Sequence, residues 1–136
     1  LTPSDGTEGE DIMKEYIVLI REPQWDSSAV TEEQWAAAMQ EHGAFAQAVA
    51  AAGGQVLGGD ALESSDKAVR ITPARDGAPA VFTDGPFTET KEVISGYYKI
   101  GVENEAQARE LAALVPTDGW LELFPVMDTD GQANAG

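Results

Sequence analysis

The chain has 136 residues and a mass of 14.4 kDa, room for one ordinary domain. It has no cysteine and one histidine, which excludes disulfides, thiol nucleophiles, iron–sulfur clusters, Cys-based zinc sites and a His-rich metal centre, and fits a reducing cytoplasm. Eight Lys and Arg against 24 Asp and Glu leave a net charge of −16, which repels phosphate backbones and anionic lipid, so neither nucleic acid nor membrane is an expected partner. Residues 1–12 carry four acids, no base and no apolar periodicity, and are expected to be a disordered N-terminal extension ahead of a natural start at Met13. Neither a basic n-region nor an apolar h-region precedes it, so no signal peptide is expected.

Residues 15–20 form an apolar run of strand length, with both faces apolar. After a loop containing Pro23, Thr31-Glu32-Glu33-Gln34 reads as a capping box, with Val30 and Trp35 placed as a hydrophobic staple. The helix that follows carries Trp35, Met39, His42, Phe45 and Val49 on one stripe and ends at Gly53-Gly54. A short strand, 55–57, is broken by Gly58-Gly59. A second strand, 68–72, places Arg70 opposite Val69 and Ile71; a turn follows at Arg75-Asp76-Gly77. Residues 81–83 resume an extended run into Asp84-Gly85-Pro86-Phe87. The alternating strand 92–102 puts Tyr98, Ile100 and Val102 on one face and Tyr97 and Lys99 on the other. A second helix starts near Asn104, with a stripe at Ala108, Leu111, Ala112 and Val115, and stops at Pro116. Residues 120–126 are the last strand, and the acidic tail 128–136 is again expected to be disordered.

The order β-α-β-β-(β)-α-β predicts an α+β, ferredoxin-like domain over 13–127, with an elaborated central hairpin. Two helices cover one face of such a sheet. The other face keeps apolar residues with nothing in the chain to cover it, so a homodimer is expected, which allows a dimeric α+β barrel-like assembly.

Several chemistries can be set aside. There is no Walker loop, no G-x-G-x-x-G and no G-x-S-x-G elbow. Asp128-Thr129-Asp130-Gly131 lacks the glycine position and the glutamate of a calcium loop, and Ser95 lies mid-strand without an elbow. Neither a metal nor a cofactor is expected. His42 has two readings: a satisfied core histidine on the sheet-facing stripe, or an acid–base group. The second draws on Asp84, which ends a strand able to lie beneath that helix. A carboxylate on one imidazole nitrogen fixes the tautomer and leaves the other nitrogen free as a general base. Arg70 either pairs with surface carboxylates or, with Lys91, neutralises an anionic substrate; Asp84-Gly85-Pro86 is also explained as a turn alone.

The stretch from Phe82 to Glu92, Phe82-Thr83-Asp84-Gly85-Pro86-Phe87-Thr88-Glu89-Thr90-Lys91-Glu92, followed by Gly96-Tyr97-Tyr98, resembles the signature of the DGPF-domain family in the YCII-related superfamily. The likeness extends to 13–20, to His42-Gly43-Ala44-Phe45, to Gly58-Gly59 with Leu62, and to Glu122-Leu123-Phe124-Pro125-Val126. It implies a ferredoxin-like fold, dimers, and a largely unassigned function in which a histidine–aspartate pair in a cleft does acid–base work. It also implies links to sigma factors in some members and to dehydrochlorination in a relative. Phe124 departs from the pattern, which has arginine there. On this reading the protein is a small cytoplasmic homodimer binding a small molecule in a helix–sheet cleft. His42 and Asp84 are its catalytic pair, and Arg70, Phe87, Lys91 and Tyr98 hold the substrate. The alternative is a non-catalytic ligand sensor, or a protein-interaction partner linked to transcription.

Overall fold

A computed structural model describes residues 13–87 and 92–128. The expectations for the tails 1–12 and 129–136, and for Lys91, lie outside these residues. The elements run β1 (Lys14–Pro23), α1 (Glu32–Ala51), β2 (Gln55–Ala61), β3 (Val69–Thr72), β4 (Val81–Asp84), β5 (Glu92–Val102), α2 (Glu105–Ala112) and β6 (Trp120–Pro125). The main sheet has the order β2-β5-β1-β6, and each of its neighbouring pairs is antiparallel. This is the ferredoxin-like α+β arrangement, with β3 and β4 inserted between its second and third strands.

Alternation along the two central strands decides which face is the core. Tyr16, Val18 and Ile20 of β1 and Ile100 and Val102 of β5 are buried against Phe45 and Val49 of α1 and the α2 stripe Ala108, Leu111 and Ala112. Burial of each large apolar side chain is worth about 1.5–3 kcal/mol. The α2 stripe lies where helical spacing put it. The α1 stripe does not hold along its whole length. Phe45 and Val49 are 1% and 0% exposed, but Trp35 is 41% and Met39 66% exposed. The N-terminal half of α1 therefore stands off the sheet.

That free end is secured locally. Thr31 Oγ1 accepts from the Gln34 N–H at 3.1 Å and Gln34 Oε1 accepts from the Thr31 N–H at 2.9 Å, the reciprocal capping box read from the sequence. Such a cap contributes about 1 kcal/mol. At the next connection, Gly58-Gly59 does not break the strand. β2 continues to Ala61 with a register shift between Val56 and Gly58. Gly59 is required by close approach, since a Cβ there would lie 2.7 Å from Tyr98 Cδ1 and 2.8 Å from the Tyr97 carbonyl oxygen.

The inserted hairpin corrects one expectation. β3 and β4 pair only with each other, forming a separate two-stranded ribbon that joins no edge of the main sheet. Its turn is the Asp-Gly type, with Asp76 at φ 54° and Gly77 at φ 80°, and Arg75 and Ala78 exchange both backbone hydrogen bonds. Gly85 N–H donates to the Ala68 carbonyl at 2.8 Å and closes its base. Val69, Ile71 and Phe82 are exposed on this ribbon. Asp84 thus ends a strand that α1 does not cover.

Candidate functional site

Because α1 diverges from the sheet, a cleft of about 600 Å³ opens between them. Its roof is Trp35, Met39 and His42 of α1; its floor is Gly59 and Ala61 of β2 with Gly96 and Tyr98 of β5. One end is closed by Trp25 and Val30 of the loop before α1, the other by Pro116 and Asp118 of the loop before β6. A few polar groups stand on a largely apolar wall, a composition that small-molecule clefts share.

His42 Nδ1 lies 2.6 Å from the Tyr98 hydroxyl oxygen, and the Tyr98 ring packs on Phe45 with centroids 4.7 Å apart. The fully buried Phe45 thus sets the position of Tyr98, and Tyr98 sets the rotation of the imidazole. Burial pushes the Tyr98 phenol above its ordinary value, which keeps it a neutral hydrogen-bonding group. When the Tyr98 hydroxyl donates to Nδ1, the imidazole proton sits on Nε2. When Nδ1–H donates to the phenol oxygen, Nε2 is a free base. No hydrogen bond to Nε2 is made among the described residues.

Neighbouring side chains hold the walls. Trp25 and Trp35 meet edge to face, with centroids 5.8 Å apart and planes at 68°. The turn carrying Trp25 is tied by Asp26, whose Oδ1 accepts from the Ser28 hydroxyl at 2.6 Å and from the Ser28 N–H at 2.9 Å. These bonds, the hydroxyl first, hold the Asp26 carboxyl below its ordinary value. The Trp25 indole N–H is sealed from solvent and has no acceptor among the described residues. On the opposite face of the sheet the Tyr97 hydroxyl donates to Asp60 at 2.8 Å, and that carboxylate pushes the Tyr97 phenol upward. At the far end the Thr117 hydroxyl donates to Glu22 at 2.7 Å.

Of the six residues expected at the site, the cleft brings together His42 and Tyr98. Asp84 is exposed on the ribbon, opposite Val69, and forms no hydrogen bond with His42 within the chain. Arg70 stacks over Phe87, its guanidinium carbon 4.1 Å from the ring centroid, and neither residue lines the cleft. Phe87 also accepts a hydrogen bond from Gln24 through its carbonyl, at 3.2 Å. Trp25 and Asp118 line the cleft without having been singled out. Trp25 had a signal, a large aromatic in a polar, Pro-containing loop, which is where a wall residue shows itself as out of place.

The geometry is that of a two-helix cap over a β2-β5-β1-β6 sheet, and residues 15–129 match the family profile of the YCII-related domain. The chain belongs to the YCII-related domain family. No curated protein matches it. Phe124, the departure from the YCII-related pattern noted above, faces away from the cleft. It pairs with Ile17 on the uncovered side of the sheet, whereas Leu121 and Leu123 pack on the core. Among the described residues no group of three His, Asp or Glu side chains is placed to hold a metal ion. No helix among them is long and apolar enough to cross a membrane.

Proposed function

We propose that this YCII-related protein, a member of its DGPF group, binds a small molecule in the α1–sheet cleft and moves a proton on it through His42. The observation that carries this reading is the 2.6 Å contact between His42 Nδ1 and the Tyr98 hydroxyl beside an open volume. Nε2 is the working nitrogen: it takes a proton from a C–H, N–H or O–H acid of the ligand, or returns one. Tyr98 has the orienting place expected of Asp84. Proton abstraction or an elimination needing no cofactor is the reaction class.

A thermal-shift screen against a metabolite library is the test, because a ligand that binds the folded state raises the melting temperature. The hit's turnover is expected to fall by at least about 100-fold in His42→Gln, the usual share of a general acid or base, with an unchanged melting temperature for the free protein. Unaltered turnover in His42→Gln refutes the proton-transfer role. Binding without any turnover favours the sensor reading.

The proposal includes a second copy over the open face of the sheet, in a cytoplasmic homodimer. Trp120 and Phe124 are exposed there, and Ile17 and Leu19 are only half-buried. Two charge pairs on this face are matched within the chain, Lys99 to Glu15 at 3.2 Å and Arg21 to Glu122 at 3.0 Å, and the Asp60 carboxylate accepts from the Tyr97 hydroxyl. Light scattering at micromolar concentration is expected to give about twice the chain mass. A single-chain mass at high protein concentration overturns the dimer.

A further inference from the structure

We infer that the cleft selects an organic cation, a protonated or quaternary amine on an apolar body, over an anion. This rests on the reading of the cleft as a binding site and adds the class of ligand. Two acidic residues line it from separate parts of the chain, Glu22 at the end of β1 and Asp118 before β6, whereas the Asp60 carboxylate lies on the opposite face of the sheet with Tyr97. Neither Lys nor Arg lines it among the described residues. The described basic groups are committed or placed elsewhere, Lys14 at the start of β1. Arg21 and Lys99 are paired on the opposite face of the sheet, Arg109 pairs with Glu105 on α2, and Lys67 pairs with Glu63. Arg70 stacks on Phe87, and Arg75 sits in the ribbon turn.

The apolar part of the cleft fits the same ligand. The Trp25–Trp35 pair lines one end of it, with the Met39 thioether on the same wall as Trp35. Indole faces attract alkylammonium groups through the ring quadrupole, and they accept the hydrocarbon part of the same molecule. A chain of net charge −16 also raises the local concentration of cations and lowers that of anions. Among the described residues, an anion entering here meets two acidic residues and a single imidazole. Arg70, which the sequence suggested for an anionic substrate, stacks on Phe87 and does not line this cleft.

Three probes of nearly equal size separate the outcomes: phenethylammonium, 2-phenylethanol and 3-phenylpropionate, titrated at low salt by tryptophan fluorescence and calorimetry. Phenethylammonium is expected to bind at least about tenfold more tightly than the alcohol, with the carboxylate weakest, and added salt is expected to narrow the gap. Asp118→Asn is expected to reduce the preference for the ammonium, and Trp35→Ala to weaken its binding. Equal or tighter binding of the alcohol or carboxylate, with loss in Trp35→Ala, overturns the cation selectivity and leaves the cleft a binding site. Ammonium binding indifferent to Trp35→Ala is surface association and overturns the inference. No binding of any of the three overturns the cleft reading itself.

Discussion

Phe45→Ala is expected to lower the free energy of unfolding by about 3–5 kcal/mol, the range for truncating a fully buried aromatic. Phe45 is 1% exposed and holds the Tyr98 ring at 4.7 Å, so its loss removes core contacts and the support of the His42 partner together. Met39→Ala, on the same helical stripe, is expected to change stability by no more than about 0.5 kcal/mol, because that side chain is 66% exposed over the cleft. Urea titration with unchanged slope reads both values. Equal losses at the two positions mean that α1 is seated on the sheet along its whole length, with no standing cleft. Ligand binding is expected to be damaged by both changes, by Phe45→Ala through Tyr98 and by Met39→Ala through direct contact.

Gly119→Ala is expected to cost about 2–3 kcal/mol, although the position is a loop glycine with no special backbone angle. A Cβ at Gly119 would fall on the Arg21 carbonyl oxygen, with the Arg21 carbonyl carbon and Glu22 Cα both 2.9 Å away. These are backbone atoms of β1 and no rotamer relieves them, so either the loop or the strand must move. The same loop is held by Gly119 N–H donating to Thr117 Oγ1 at 3.0 Å and by Thr117 donating to Glu22 at 2.7 Å. Displacing it moves Asp118 and Pro116, the end wall of the cleft, so ligand affinity is expected to fall with stability. Gly58→Ala is the control: a Cβ there meets nothing within 4 Å, and a change under about 0.5 kcal/mol is expected. A Gly119→Ala protein as stable as the Gly58→Ala one shows that the loop relaxes freely and is no fixed wall.

A packed core histidine among Trp35, Met39 and Phe45 is not what the fold contains, because two of those three neighbours are themselves exposed. The imidazole is half-buried, bonded on one nitrogen and directed by a phenol. A phenol held neutral by burial orients the ring without adding a charge, which an aspartate would have added.

Much of the architecture was already determined by local chemistry in the chain. The apolar run 15–20 made β1 a central strand, Thr31 and Gln34 made the capping box, Asp76-Gly77 made the ribbon turn, and alternation along 92–102 put Tyr98 on the core side of β5. Each depends on neighbours within a few residues or on a period of 2 or 3.6, which a single sequence displays. Sheet membership is different. Whether Val81–Asp84 joins the main sheet or a ribbon of its own depends on which distant backbone edge it meets, and its apolar alternation is the same either way. That is why the sequence allows Asp84 beneath α1 while the fold puts it outside the cleft. The split of the α1 stripe is of the same kind: periodicity tells which side of a helix is apolar, but the distance from that side to the sheet is set by what fills the gap. Beside Phe45 and Val49 the gap closes with the α2 stripe and Ile100. At Trp35 and Met39 the tertiary structure leaves it open, and the cleft exists because it does.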